Sequence, residues 1–349
     1  MKMKDKKLWD LIHTYLLAYL PKQKCYSPNT IKSYRESLEL LLDYACEIHG
    51  VTLSSITFEL IGAKTILGFL SWLENERKCS DKTINHRLTG VRSFFNYAGD
   101  MELTAVKYQQ EILKVPMRKT PESLIVDFMS EDAVAAILSQ PNTKSRKGVR
   151  DLFFMLLMYD TAARDRELLD LRIKDVYLKK KEAYVYLTGK GRKIRSVPIM
   201  EKTVEHFKGY VGLFHENEQG TENPYLFYTV RNRSKNQMSD DNVAKFIKQY
   251  AVQAKKVCAE VPENVHPHLF RHARAMHLYR SGMPLALLSE WLGHANLETT
   301  LIYAYADTEM KRVAIETATS DVNVLRSEEA PKAFWQNNND LIKRLYGFR

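Results

Sequence analysis

The segment HPHLFRHARAMHLYRSG, residues 266 to 282, gathers His266, His268, His272 and His277 with Arg271, Arg274 and Arg280, and no Asp or Glu occurs from Asn264 through Ser289. Two imidazoles at 268 and 272 would lie one helical turn apart and could face a metal. There is no H-E-x-x-H, however, and three arginines would repel a divalent cation. The composition suits a phosphate better, with guanidinium forks on nonbridging oxygens and imidazoles moving protons. Taken alone, the segment also reads as a basic helix face with satisfied histidines. Two other stretches bear on the choice. TAARDRELLDLRIKDV, residues 161 to 176, sets Arg164 and Glu167 three apart beside an apolar helix, where an arginine is costly unless it meets an acid or an anion. WLGHANLETTLIYAY, residues 291 to 305, puts His294 after Gly293 and Tyr303 nine residues further on. A phenol with a free pKa of about 10 is a poor nucleophile, so attack by Tyr303 would need a base and cations nearby.

A fourth stretch, Arg172 to Arg195, carries nine basic residues against Asp175 and Glu182, interleaved with Tyr177, Tyr184 and Tyr186. A charge run of this kind is usually a solvated hairpin. Gly189-Lys190-Gly191 sets Lys190 at a tight turn that would let backbone approach a phosphate. It is not a Walker A loop, whose G-x-x-x-x-G-K-[ST] spacing is absent from the chain.

The elements that must hold these residues are mostly helical. Helices are expected near 7 to 20, from Ser27-Pro28 to Gly50, near 65 to 77, and from Ser80 to Gly99, each serine an N-cap. From about 100 to 129 the periodicity weakens and Pro116 and Pro121 appear, and within 103–124 Lys107, Lys114, Arg118 and Lys119 outnumber Glu111 and Glu122, the signature of a linker. Ser130 then caps a helix with Glu131 and Asp132 in its first turn, and an apolar helix runs up to about Ala162. Residues 172 to 199 alternate as one small antiparallel sheet, and helices resume near 201, 240, 268, 284, 297 and 307. The expected class is mainly α with a small antiparallel sheet, divided into an N-terminal helical unit (1–102), a basic linker (103–124), a second domain (125–320) and a polar tail (321–349).

Composition narrows the function classes. The 349 residues include 52 Lys+Arg against 42 Asp+Glu, a net charge of +10, which favours polyanionic partners without naming one. Four cysteines without C-x-x-C argue against a disulfide framework or a zinc ribbon and fit a reducing cytoplasm. The basic-then-apolar N-terminus is broken by Asp10 and His13 and lacks a small-x-small cleavage site. The longest apolar run, Leu152 to Tyr159, is far shorter than a membrane span, so a soluble protein is expected.

The ordered set Arg164, Lys190, His268, Arg271, His294 and Tyr303 resembles the catalytic signature of the tyrosine recombinases, the phage integrase family. TAAR-x-x-EL-x-x-L is similar to that family's T-G-x-R-x-x-E-L box, GKG-x-K-x-R-x-VP to its hairpin lysine box, HPHLFRH to its H-x-L-R-H box, and LGHA-x-x-x-TT-x-x-Y to its nucleophile box. The resemblance covers about residues 8 to 320. It implies a helical, SAM-like core-binding domain followed by the family's catalytic domain. It further implies that Tyr303 attacks a scissile DNA phosphate to form a 3′-phosphotyrosyl link while Arg164 and Arg271 clamp the nonbridging oxygens. Lys190 would be the general acid, His268 the general base, His294 a hydrogen-bond donor to the transition state, and Glu167 the group that orients Arg164. Because the phosphotyrosine conserves the energy of the broken bond, no ATP is implied, and because two arginines and a lysine supply positive charge, no metal or other cofactor is implied. The implied partners are duplex DNA sites, a dimer at each site, a homo-tetramer in a synapse that passes through a Holliday junction, and room for accessory DNA-bending proteins; the implied location is the bacterial cytosol and nucleoid. Further DNA contacts are expected from Arg192, Lys193 and Arg195 in the hairpin and from Lys82, Arg87 and Arg92 in the N-terminal unit.

The chain departs from the family pattern in places. Ala162 stands where Gly is usual, so the turn before Arg164 must tolerate a Cβ, and Arg274 and Met276 replace commoner small or aromatic residues. Tyr305, where relatives often carry His, is a second candidate nucleophile, disfavoured because two residues rotate it about 200° around a helix. A type IB topoisomerase, a non-catalytic DNA-binding protein on the same fold, and a metal hydrolase are the rival readings. No arm-binding domain of the larger integrases is expected before residue 8, but the linker and tail make the chain longer than a minimal Xer-like one and lean towards a mobile-element recombinase; a helix at 307 to 319 or the tail would pass to a neighbouring protomer.

Overall fold

The computed structural model of the chain describes residues 3–120, 127–179, 182–216, 224–232, 234–306, 312 and 315. It divides into two compact units, Met1–Glu122 and Ser123–Arg349.

The first unit is helical. Helix α1 (Lys6–Thr14) is capped by Asp5, whose carboxylate accepts from the Leu8 N–H, and continues as a π-helical stretch, Tyr15–Gln23. Then come α2 (Pro28–His49), α3 (Ala63–Asn75), α4 (Asp81–Met101) and α5 (Val106–Leu113). Ser27 and Ser80 accept from the Thr30 and Thr83 N–H groups, satisfying donors the helix itself leaves open. Pro28 at the first turn of α2 costs nothing because its missing N–H would have had no partner. Gly50 ends α2 in the left-handed region at φ 61°. Tyr15, Phe69, Phe94 and Phe95 lie at the centre of the core with no exposed surface.

The linker expected at 103–124 is different in its first part. Ala105, Ile112 and Val115 are buried in that core, and Arg118 forms ion pairs with Glu74 and Asp81 at 2.8 Å each. Residues 121–124 lie outside the described residues. Two of the expected DNA contacts also turn out to be internal ties. Arg92 donates through Nη2 to the carbonyls of Leu113 and Val115, pinning the end of α5 to α4. Arg87 reaches Glu36 and Ser37 of α2, at 3.4 Å each. Lys82 remains exposed at the start of α4. Arg92→Ala strands the partly buried Val115 carbonyl and removes a solvent-exposed bond to the Leu113 carbonyl, and should destabilise this unit by about 1 kcal/mol, read as a lower denaturant midpoint.

The second unit opens with α6 (Glu131–Leu138) and α7 (Arg146–Thr161), capped by Ser130 and Ser145, and the five-residue α8 (Asp165–Leu169). Strands β1 (Val176–Lys179), β2 (Glu182–Thr188) and β3 (Ile194–Pro198) form an antiparallel sheet in that order, with Val185 paired to Val176 on one side and Val197 on the other. Helix α9 (Glu201–Phe214) follows, then a second sheet that the sequence reading missed: the hairpin of β4 (Tyr228–Arg231) and β5 (Ser234–Gln237). The chain continues through α10 (Asp240–Lys255), α11 (Pro267–Arg280), α12 (Leu285–Leu292) and α13 (Glu298–Ala306). Phe153, Phe154, Phe227 and Phe270 centre the main core; a smaller cluster joins Ala162, Ala275, Met276, Leu288, Leu292 and Tyr303. Apart from Arg312 and Ile315, the helix expected at 307 to 319 and the tail 321–349 lie outside the described residues. No helix among the described residues is long and apolar enough to cross a membrane.

Candidate active site

The four boxes meet where several helix and strand ends converge. Helix α7 stops because Ala162 takes the left-handed conformation, φ 51°, which a Cβ disfavours by about 1–2 kcal/mol. Full burial of Ala162 in the small core cluster offsets that strain. The reversal places Arg164 at the N-cap of α8, where its backbone N–H donates to Glu167 Oε2 at 2.9 Å and its Nη1 to Oε1 at 2.8 Å.

Glu167, only 4% exposed, holds a second arginine. Arg195 donates Nη1 to Oε1 at 3.0 Å and Nη2 to Oε2 at 2.8 Å, and its Nε donates to the Trp291 carbonyl at 2.9 Å. Four N–H groups therefore occupy the lone-pair directions of one carboxylate. Burial alone would raise the pKa of Glu167, but the Arg195 hydrogen bonds and charge, together with those of Arg164, outweigh it and hold the group below the usual glutamate range. Arg195, expected as a DNA contact, is in this structure an internal tie joining β3, α8 and the end of α12. Glycines make room for it. A Cβ on Gly293 would meet the Arg195 guanidinium at 3.0 Å, and one on Gly189 would meet Glu167 Oε1 at 3.2 Å.

Arg271, on the second turn of α11, is 3% exposed. Its Nη1 and Nη2 donate to the Ala162 and Leu292 carbonyls at 2.6 Å each, the oxygens left open where α7 and α12 end. No carboxylate bonds Arg271 among the described residues, and Glu167 acts on it only through space. Burial, then repulsion from Arg164, lowers its pKa to about 10. A buried cation held only by neutral oxygens has capacity for an anion.

Helix α12 closes at Gly293, φ 63°, and the next residue, His294, sets Nδ1 2.8 Å from Thr300 Oγ1 of α13. Tyr303 on α13 is 1% exposed and Tyr305 is 52% exposed. Burial raises the Tyr303 pKa to about 12, opposed by Arg271 and Arg164. Its hydroxyl lies 3.0 Å from Nδ1 of His272, a residue the sequence reading placed in the cluster without a role. His268 stands one turn earlier on α11; burial, aided by Arg271 and Arg164, lowers its pKa, and no hydrogen bond joins it to Tyr303 among the described residues. His294 is likewise lowered, to about 4, by burial and then by Arg271, Arg164 and Arg195.

Lys190 stands on the β2–β3 turn between Gly189 and Gly191, the latter at φ 75°; its side chain lies outside the described residues. Arg192 and Lys193 on the same turn are exposed. Arg274 faces inward: it lies 3.4 Å from Asp160 and over the Tyr159 ring, tying α11 to α7. Among the described residues, no three His, Cys, Asp or Glu side chains group as metal ligands.

The site thus brings Arg164, Glu167, Arg271, His294 and Tyr303 together around a cationic pocket. Comparison with known proteins agrees with that chemistry. Residues 127–310 match the phage integrase family, and residues 14–101 match the phage integrase N-terminal SAM-like domain. A Sinorhizobium fredii protein named as an integrase/recombinase is 31% identical over 314 residues, 89% of this chain and 92% of that protein. A protein of Thermosipho africanus named tyrosine recombinase is 30% identical over 306 residues, 85% of this chain and 96% of that one. Two solved structures share the fold: the XerH site-specific recombinase bound to its difH substrate (TM-score 0.62, 21% identity, 90% of this chain and 89% of that chain) and the Tn1549 transposon integrase with circular intermediate DNA (TM-score 0.61, 19% identity, 86% and 97%). With these sequence boxes brought together in the fold and both family regions matched in order, the chain belongs to the phage integrase family and is a tyrosine recombinase, an enzyme that breaks and rejoins DNA.

Proposed function

We propose that the protein is a site-specific recombinase of duplex DNA in which Tyr303 is the nucleophile. The observation that carries this reading is Arg271, buried without a bonded carboxylate and held by two helix-end carbonyls, with Tyr303 packed in the same small cluster as those helix ends. A scissile phosphate is the anion that would complete this site. Tyr303 Oη would attack phosphorus, forming the phosphotyrosyl bond and releasing the 5′-oxygen. Arg164 and Arg271 would hold the nonbridging oxygens as charge develops. Lys190 would protonate the leaving oxygen, His294 would donate to the phosphoryl oxygens, and a histidine of α11, His268 on the family pattern, would take the phenolic proton. Tyr303 and Arg271 are buried, whereas Arg164 is 33% exposed, so the DNA backbone would enter past Arg164.

Around this centre, Arg192 and Lys193 on the exposed turn and Lys82 in the N-terminal unit would add phosphate contacts of the salt-sensitive kind. The N-terminal helical unit would serve as the core-binding domain, and a dimer on each site, paired into a tetramer, would exchange strands through a Holliday junction in the bacterial nucleoid. The reaction as written uses no ATP, because the ester to Tyr303 stores the energy of the broken bond.

The test uses duplexes recovered from a genomic fragment library by covalent capture on the protein. Two copies of a recovered site on one plasmid should yield deletion or inversion products. Relaxation of supercoils without any recombinant product would replace the recombinase reading with the topoisomerase one.

A further inference from the structure

We infer that His272, rather than His268, is the immediate proton acceptor for Tyr303, and so is a catalytic residue of this enzyme. The inference rests on the reading of Tyr303 as nucleophile. Two facts of geometry carry it. His272 Nδ1 lies 3.0 Å from Tyr303 Oη, within the reach required of a general base, and among the described residues it is the hydroxyl's one hydrogen-bond partner. His268 makes no such bond, although the two histidines share a face of α11, one turn apart.

The surroundings favour an imidazole able to accept. Burial, then the nearby His268, Arg271 and His266, lowers the His272 pKa to about 4, with Asp127 opposing. His294, which follows α12, adds its own electrostatic contact with His272. At neutral pH the ring is uncharged. With the phenol as donor, Nδ1 accepts and the ring proton sits on Nε2, so the phenolic proton already points at the atom that would take it.

The step balances without any co-reactant. The bond from Tyr303 Oη to phosphorus forms, the bond from phosphorus to the 5′-oxygen breaks, and the phenolic proton moves to Nδ1 of His272. The leaving oxygen takes a proton from the Lys190 ammonium, so a cation appears at His272 as one disappears at Lys190. Rejoining runs the same transfers backwards.

The experiment measures single-turnover formation of the covalent adduct on a nicked duplex recovered by covalent capture, for wild type, Tyr303→Phe, His272→Ala, His272→Asn and His268→Asn. Asn can hydrogen-bond the phenol but cannot take its proton. The inference expects His272→Ala and His272→Asn to be slowed alike, by about 10²–10⁴-fold, and His268→Asn to be slowed less. The wild-type rate should fall at acid pH as the imidazole protonates, and that limb should vanish in His272→Asn. A 5′-bridging phosphorothiolate, whose leaving group needs no proton, should restore Lys190→Ala but not His272→Asn. Equal noncovalent affinity for the duplex and an unchanged thermal midpoint establish that the variants are folded. Wild-type rates in His272→Asn would reduce His272 to a positioning residue and overturn the inference; faster cleavage by His272→Ala would make the bond a restraint on the nucleophile and overturn it too. Adduct formation by Tyr303→Phe would instead overturn the reading of the nucleophile itself.

Discussion

Replacing Tyr303 with Phe should abolish covalent attachment to DNA, a loss of at least about 10⁴-fold, while leaving the fold and duplex binding almost unchanged. The ring fills the small core cluster beside Ala162, Met276 and Leu292, and Phe preserves that volume. What the variant lacks is one hydroxyl, whose hydrogen bond to His272 contributes about 1 kcal/mol to stability. The large effect is therefore chemical, because the variant lacks the oxygen proposed to form the ester. Tyr305, at 52% exposure, is turned out to solvent and should not rescue the reaction. Gel-shift affinity and adduct yield, measured on the same duplex, separate the two effects.

The second large effect is expected at Glu167. This carboxylate accepts from the Arg164 backbone, the Arg164 side chain and both Nη atoms of Arg195. Glu167→Ala leaves two guanidiniums facing each other across a buried gap, a change of the kind that costs about 3–5 kcal/mol. It also frees Arg164 from its N-cap geometry and Arg195 from its link between β3 and α12, so cleavage should fall together with stability. The wild type carries a matching pH signature. Glu167 titrates below its unfolded value because the Arg195 and Arg164 interactions outweigh the penalty of burial. Its contribution is therefore present in full above the unfolded glutamate pKa of about 4.3, and is lost as pH falls through the lower folded value. Denaturant midpoints between neutral and acid pH should drop more steeply in wild type than in Glu167→Gln, which has no carboxylate to protonate.

Much of this organisation is readable from residue order. Serine caps at Ser27, Ser80 and Ser130 start helices where expected, and helices do begin close to 201, 240, 268, 284 and 297. Charge alone does not say which way a side chain points. Arg195 belongs to a basic hairpin, yet it is two residues from the buried Val197, and the period of two along β3 puts both on the inner face. Arg87 and Arg92 flank the stripe of Ile84, Leu88, Val91 and Phe95 on α4 at three- and four-residue offsets, which directs them along the core edge towards α2 and the end of α5. The segment taken as a linker contains Ala105, Tyr108, Ile112 and Val115 at helical spacing, an apolar pattern outweighed by attention to its lysines and prolines. The pairing of His272 with Tyr303 was beyond the sequence altogether, since it depends on how α13 packs against α11.

One phenolic oxygen, that of Tyr303, is expected to carry the DNA. The most direct measurement traps the adduct on a nicked duplex, digests the protein and the DNA, and locates the residual nucleotide by mass spectrometry. The nucleotide is predicted on the peptide fragment ion that contains Tyr303, joined through its 3′-phosphate. Its attachment to Tyr305, to a serine, or to any residue outside α13 would contradict the claim.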